Sequence, residues 1–230
     1  MSGYFQAYLI YYLFMLPGII ISIWASIRVK SAFSRYSRVS NSRGLTGADA
    51  AMAVLRANGV SNVRIERVSG ELTDHYDPRT NVIRLSDSVY GSASVAAVGV
   101  AAHEAGHAVQ YAHNYGPVKL RSAIIPVCNF GAKLSLPLII IGSLLLSDWL
   151  ILAGIALFAL SVLFQVVTLP VEFNASRRAL SAIEQEGLLR SEERTGAKKV
   201  LSAAAMTYVA SLLQSLLILF YYLSRYNRRR

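Results

Sequence analysis

The 230-residue chain has a single cysteine, Cys128, and few charged residues. One cysteine cannot form an internal disulfide, and it excludes a zinc site built from several cysteines. Charged residues make up 16% of the sequence, against about 25% in typical soluble domains, whereas apolar residues make up 54%. The deficit comes from long stretches without any charge, so the composition indicates an integral membrane protein.

Acidic residues are also scarce, because 13 Asp and Glu stand against 23 Lys and Arg, for a net charge of +10. Such an excess could serve nucleic-acid binding, but the chain contains no recognisable binding motif of that kind. The basic residues cluster instead beside apolar segments, at positions 28–43 and 225–230. Lys and Arg flank membrane spans in this way. We therefore expect a lipid bilayer as a partner, and no nucleic acid.

Four apolar segments are long enough to cross a bilayer, which takes about 20 helical residues. The first lacks the basic start of a cleavable signal peptide, so it predicts an uncleaved helix with aromatics in its N-terminal half. The predicted order is transmembrane helix 1 at 1–27, an α+β region at 28–121, transmembrane helix 2 at 122–147, transmembrane helix 3 at 148–170, a further helix at 171–199, and transmembrane helix 4 with a basic tail at 200–230. The fold class is therefore mainly α and integral membrane, with about four transmembrane helices and a small α+β domain.

The α+β region begins with local signals of a helix and two strands. Thr46 is placed as the N-cap of a short helix that ends at Asn58-Gly59. Val63–Val68 and Asn81–Ser86 predict strands joined by a turn-rich connection, and together they form a hairpin or a small sheet. We interpret the second strand as an edge that could pair with an extended peptide, since strand addition is a common way to bind one.

The Ala-rich segment from Ser94 to His113 predicts a buried helix that contains His103-Glu-Ala-Gly-His107. Because positions i and i+4 share one helix face, His103 and His107 can bind a single metal ion. Zn²⁺ suits this nitrogen-rich pair, and Glu104 stands where it can act as general base on a metal-activated water. The alternative is two buried histidines without a metal, but two imidazoles and a carboxylate would then all need buried partners. The spacing favours a zincin-like catalytic domain.

A catalytic zinc held by two histidines needs a third protein ligand. His75, His113 and several carboxylates are candidates, but His113 lies well around the helix from the ligand face and is placed as a helix-end residue. Glu172 follows a predicted span, and the two spans between it and His103 return the chain to the same side. The alternative for Glu172 is an ordinary helix-start carboxylate, which the helix dipole favours.

Three motifs together resemble the YugP-type family of bacterial membrane zinc metallopeptidases, namely Leu72–Arg79, His103–Gln110 and Leu169–Arg178. The likeness covers nearly the whole chain. The family is distantly similar to the HtpX membrane proteases, whose Glu-x-x-x-Asp helix supplies the third ligand, and this implies Glu172 in that role. Ser176 stands where the Asp is expected, which leaves Asn174 or Ser176 as the partner of a ligand histidine.

Four more residues are candidates for binding substrate or for donating to the oxyanion of the reaction, a role that such side chains often fill. They are His75, Arg79, Asn174 and Arg177. For the stretch that contains His75 and Arg79, a tightly hydrogen-bonded turn is the alternative.

The resemblance implies a membrane-embedded, zinc-dependent endopeptidase of the bacterial plasma membrane. Its substrates are expected to be peptides or membrane proteins, and its partners a membrane protein or a further copy of the chain. A non-catalytic or partner-regulated membrane metalloprotein is the competing class. A scaffold would have less reason to keep Glu104, and a metal transporter would want more polar residues within its spans.

The distribution of charge also predicts an orientation. No charge precedes the first span, and five Lys or Arg lie between Arg28 and Arg43. Because cytoplasmic loops carry the excess of basic residues, the multi-pass chain should place its catalytic region on the cytoplasmic side. With four spans the basic tail at 228–230 would lie outside, against the same rule.

Overall fold

The structure is a computed structural model that describes residues 2–228, with the side chains of Leu9 and of residues from Tyr12 onward. The aromatic side chains expected near the N-terminus before Tyr12, and the last two arginines of the tail, lie outside the described residues. The elements in chain order are α1 (Ser2–Tyr36), α2 (Gly47–Ala57), β1 (Arg64–Val68), β2 (His75–Asp77), β3 (Val82–Ser86), α3 (Asp87–Tyr90), α4 (Val95–Ala112), α5 (Gly116–Leu144), α6 (Asp148–Gln185) and α7 (Ser191–Asn227).

Four helices of the described chain are long and apolar enough to cross a membrane: α1, α5, α6 and α7. The predicted fold class, mainly α with four candidate spans and a small sheet, is confirmed. The helices extend beyond the apolar segments themselves. α6 continues through Pro170 to Gln185, whereas the sequence divided these residues into a span and a separate helix. A proline is tolerated inside such helices because neighbouring groups satisfy the freed carbonyl.

The chain divides into two compact units, and we call the first the membrane unit: Met1–Ser26, Leu120–Leu169 and Thr207–Arg230. Large apolar side chains stay exposed here, among them Leu144 at 77% and Leu146 at 82%. An apolar surface of this extent suits contact with lipid rather than water.

We call the second unit the site unit: Ile27–Lys119 and Pro170–Met206. Its centre is α4, which is apolar around most of its circumference and is therefore buried, as such helices are in the interior of a domain. Helix α2 starts at the predicted cap, where Thr46 and Asp49 hydrogen-bond each other's backbone N–H. The predicted cap of α2 and the predicted extents of α2 and α4 are confirmed.

The sheet of the site unit has three strands in the order β1-β3-β2. The two predicted strands are confirmed, but they run parallel and do not form a hairpin. The turn-rich connection contains β2, which the sequence did not show and which pairs antiparallel with β3. The interpretation of β3 as an edge is wrong, because Ile83 is paired with Ile65 on one side and with Tyr76 on the other. Among the described residues, the edge strands of this sheet are β1 and β2.

The carboxylates of the stretch Leu72–Arg79 form hydrogen bonds that stabilise this sheet. Asp74 accepts hydrogen bonds from the backbone N–H and the hydroxyl of Ser86 at 2.7 and 3.0 Å, which joins the start of β2 to the end of β3. Burial raises the pKa of Asp74. The Thr80 hydroxyl and the Arg79 N–H lower the pKa of Asp77 to about 2. The hydrogen bonds give this stretch a structural role in the sheet, and its role in substrate binding stays a prediction.

Candidate metal centre

The two histidines of the motif lie on one face of α4, as the spacing predicts. Their ring centroids are 4.7 Å apart and their planes meet at 81°. Between them, Gly106 contacts the backbone of α6 so closely that a Cβ there would lie 2.7 Å from the carbonyl oxygen of Ala175. Real Cβ atoms do not approach other atoms so closely. A residue without a side chain therefore allows α4 to lie directly against the part of α6 that follows Pro170.

That part of α6 brings Glu172 to the histidines. Its Oε2 atom lies 3.4 Å from Nε2 of His103 and 3.5 Å from Nε2 of His107. The three possible ligand atoms all lie within 4.8 Å of one another. Only 4% of the Glu172 side chain is exposed, against 15% for His103 and 11% for His107, so the cluster is largely shielded from solvent.

These separations can be compared with the geometry of a zinc site. Ligand atoms about 2.0–2.1 Å from a tetrahedral zinc lie about 3.3–3.4 Å from one another. The distances from the carboxylate oxygen to the two ring nitrogens are 3.4 and 3.5 Å. The donor set of two imidazoles and one carboxylate is also one that zinc uses in catalytic sites, where a fourth position stays open. The residue types and these two distances therefore fit a zinc ion.

Glu104 lies beside this cluster and outside it. It is 9% exposed, and its carboxylate is not a member of the three-atom group. Burial acts to lower the pKa of His107, but the carboxylates of Glu172 and Glu104 outweigh that effect and raise it. Two carboxylates around two imidazoles give the site a negative potential that attracts a cation.

Ser176, one turn beyond Glu172, supports His103. Its Oγ atom lies 3.1 Å from Nδ1 of His103, the ring nitrogen that faces away from the cluster. Ligand histidines usually hydrogen-bond through this second nitrogen, which fixes the orientation of the ring. The serine that departs from the distant family pattern thus occupies the expected place, with a hydroxyl where a carboxylate was expected.

His107 has a different partner, which the sequence analysis did not identify. Its Nδ1 atom lies 3.0 Å from Oε1 of Gln110, a fully buried residue one turn further along α4. The amide nitrogen of Gln110 donates to the carbonyl of Val171 at 2.8 Å and to Oδ1 of Asn174 at 3.0 Å. Asn174 also accepts from Nε of Arg178 at 2.8 Å. The signal available in the sequence was a single glutamine in an apolar helix, on the face that carries the histidines.

The remaining sequence candidates are exposed side chains that are not members of the three-atom cluster. His75 is an exposed residue of β2, with Nδ1 2.8 Å from the carbonyl of Thr73. Arg79 and Arg177 are exposed. Their roles in substrate binding stay predictions. His113 forms the C-cap of α4, which confirms its placement at the helix end.

Comparison with known proteins bears on this arrangement. The site belongs to a chain with four candidate membrane helices and a buried group of two histidines and one glutamate. Residues 11–227 match the family described as "Putative neutral zinc metallopeptidase", and the chain belongs to this family. A relative from Bacillus subtilis (strain 168), "Putative membrane protease YugP", is 51% identical over 197 residues, which cover 85% of this chain and 87% of the relative. No solved structure matches the chain significantly.

Proposed function

We propose that the protein is a zinc-dependent endopeptidase of the membrane, in which His103, His107 and Glu172 hold the metal and Glu104 is the general base. The observation that carries the proposal is the convergence of one carboxylate oxygen and two ring nitrogens at 3.4 and 3.5 Å. The family membership supports the metal and the reaction class. The substrate is a peptide or a membrane protein, as the name of the relative suggests.

Zinc in such a site supplies an activated water and polarises the carbonyl of the scissile bond. Glu104 accepts the proton that the water loses as its oxygen bonds to the carbonyl carbon. The same carboxyl group then returns the proton to the nitrogen as the C–N bond breaks, so that the base is restored. Its position outside the ligand group leaves it available for this transfer.

We further propose that the site unit faces the cytoplasm. The support is the basic segment that follows the first span, because positively charged loops stay inside. The competing class, a non-catalytic membrane metalloprotein, would hold the metal in the same three side chains. The two classes therefore differ at Glu104 and not at the ligands.

The test is hydrolysis of a fluorogenic peptide library by detergent-purified wild type and Glu104→Gln. We expect the wild type to cleave, to lose activity to a chelator, and to regain it with zinc. Glu104→Gln should bind zinc and lose about 100- to 10,000-fold in rate, the usual contribution of a general base. Glu192→Gln, which neutralises an exposed glutamate of the same unit, should behave as wild type.

Two results would contradict the proposal. Zinc binding without cleavage of any peptide by the wild type would favour the non-catalytic class, and equal activity of Glu104→Gln would remove Glu104 from the mechanism. The same assay in oriented membrane vesicles tests the side of the membrane. Inside-out vesicles should cleave an impermeant peptide, and cleavage only by right-side-out vesicles would reverse the orientation.

A further inference from the structure

We propose that Arg178, Asn174 and Gln110 form a chain of hydrogen bonds in which the orientation of each side-chain amide is fixed. This chain holds His107 in the tautomer able to bind the metal. The inference deepens the proposed function and rests on His107 being a ligand. It makes Gln110, Asn174 and Arg178 positioning residues, since all three act through His107 and not on the substrate.

The orientations of the two amides are set by the groups at the two ends of the chain, each of which can form only one kind of hydrogen bond. Arg178 can only donate, so the atom of Asn174 that lies 2.8 Å from its Nε must be the amide oxygen. The carbonyl of Val171 can only accept, so the atom of Gln110 that lies 2.8 Å from it must be the amide nitrogen. The oxygen and nitrogen of side-chain amides are otherwise interchangeable, but here the surrounding bonds assign them.

The orientation of the Gln110 amide then decides which ring nitrogen of His107 carries the hydrogen. The amide nitrogen of Gln110 has two hydrogens, and it donates one to Val171 and the other to Asn174. The remaining atom, Oε1, can only accept, and it lies 3.0 Å from Nδ1 of His107. Nδ1 must therefore carry a hydrogen. In the neutral ring the lone pair then resides on Nε2, the atom that faces Glu172 at 3.5 Å.

The partner that the structure describes for Nδ1 of His103 fixes no such orientation. A serine hydroxyl both donates and accepts, so the contact between Ser176 and His103 allows either tautomer. The difference predicts that His107 is the more strongly preorganised ligand. Gln110 is fully buried, so an amide with the wrong orientation would face two acceptors and lose bonds that no water could replace.

The experiment is a double-mutant cycle on zinc affinity, measured by competition with a chromophoric chelator. Gln110→Met keeps the volume and removes both hydrogen-bonding ends, and we expect it to raise the dissociation constant about 10- to 100-fold. Arg178→Met should raise it by a smaller factor. The double variant should bind zinc no more weakly than Gln110→Met alone, because Arg178 acts through Gln110.

Additive losses in the cycle would overturn the inference, and so would wild-type zinc affinity in Gln110→Met. Arg177→Met is the matched control, since it removes the same charge from the neighbouring exposed position and should leave zinc affinity unchanged. Thermal unfolding of the zinc-free variants tests for a merely structural role. Such a role would lower their thermal stability, but the two substitutions would show no coupling in zinc affinity. If Gln110→Met does not fold, the cycle of Arg178→Met with Asn174→Ala makes the same prediction.

The result also distinguishes this inference from the proposed function. A wild-type protein that binds no zinc would reject the metal centre itself. A wild type that binds zinc and cleaves peptides, with a Gln110→Met variant of equal zinc affinity, would reject the hydrogen-bond chain and leave the peptidase in place.

Discussion

The membrane unit and the site unit differ in where their apolar side chains point. In the membrane unit leucines such as Leu144 and Leu145 are 77% and 68% exposed, whereas in the site unit Leu55 and Leu85 are 1% and 0% exposed. Lipid is as apolar as leucine, so burial of side chains against each other has no special advantage there. In water the same burial is the main favourable term of folding. The site that needs low solvent access is built in the second unit.

Helix α6 contributes to both units and makes the comparison direct. Gln165 lies in the membrane unit, where its amide nitrogen donates to the hydroxyl of Ser215 at 2.7 Å. Glu172 lies two turns further along, in the site unit, facing the two imidazoles. One helix thus carries a polar group that ties helices together and another that completes a candidate metal centre. Variants of matched pairs, one in each unit, test whether the two roles are separable.

The largest difference in zinc binding is expected between two single variants, Glu172→Gln in the site unit and Gln165→Leu in the membrane unit. Glu172→Gln removes the negative charge of the proposed third ligand and should weaken zinc binding by more than about 100-fold, beyond the loss typical of groups that only orient a ligand. Gln165→Leu should leave the zinc stoichiometry at that of the wild type. Metal content after dialysis measures both. Stoichiometric zinc in Glu172→Gln would show that another group is the third ligand.

A smaller effect is expected from adding one methyl group in each unit. In Gly106→Ala the new Cβ would meet the Ala175 carbonyl oxygen at 2.7 Å, and in Gly154→Ala it would meet Cγ1 of Ile139 at 2.7 Å. Overpacking costs about 1–3 kcal/mol, so both should lower thermal stability. Only Gly106→Ala should also weaken zinc binding, because it separates the histidine helix from Glu172.

Gly116→Ala is the control for that comparison, since nothing lies within 4 Å of a Cβ at this position. It should leave stability and zinc affinity unchanged. Equal zinc affinity in Gly106→Ala and the wild type would mean that the close contact of α4 with α6 does not position the ligands.

The smallest effect concerns pH and the N-terminus of α2. The hydroxyl and backbone N–H of Thr46 lower the pKa of Asp49. A depressed carboxyl pKa stabilises the fold above the unfolded value of about 3.9, and the contribution is lost as pH falls through the folded value. Asp49→Asn should therefore cost less than about 1 kcal/mol near neutral pH, because solvent screens an exposed carboxylate, and less still below about pH 4. Thermal unfolding at both pH values measures it.

Glu71→Gln, which neutralises an exposed carboxylate of the same unit, is the control and should show no such dependence. A pH-independent difference between Asp49→Asn and the wild type would contradict the assignment. The membrane unit offers a contrast, since the contact between Gln165 and Ser215 joins two groups that do not titrate over this range.

Local patterns predicted the fold well where neighbours in sequence decide the structure. Thr46 caps α2 as expected, and the motif helix occupies the predicted segment between Ser94 and His113. Strand β2 was missed because three residues carry too little periodicity to recognise. The edge assignment of β3 failed for the same reason, since its outer neighbour was β2.

The candidate metal centre also combines residues that local spacing places together with residues whose roles depend on distant parts of the chain. His103 and His107 share a face because four residues nearly complete a helical turn, and Glu104 follows His103 in the chain. Gln110 lies on the same face, but its role depends on Val171 and Asn174, more than 60 residues away. No spacing within α4 indicates such partners.

The sequence by itself determined the membrane character, the pair of histidines and the glutamate beside them, because composition and helical periodicity act over short distances. The tertiary structure decided which carboxylate joins them and how each imidazole is oriented. Those outcomes depend on the approach of α4 to α6 at Gly106, where the absence of a side chain permits contact with the Ala175 carbonyl. Such an approach is a property of packing between distant segments.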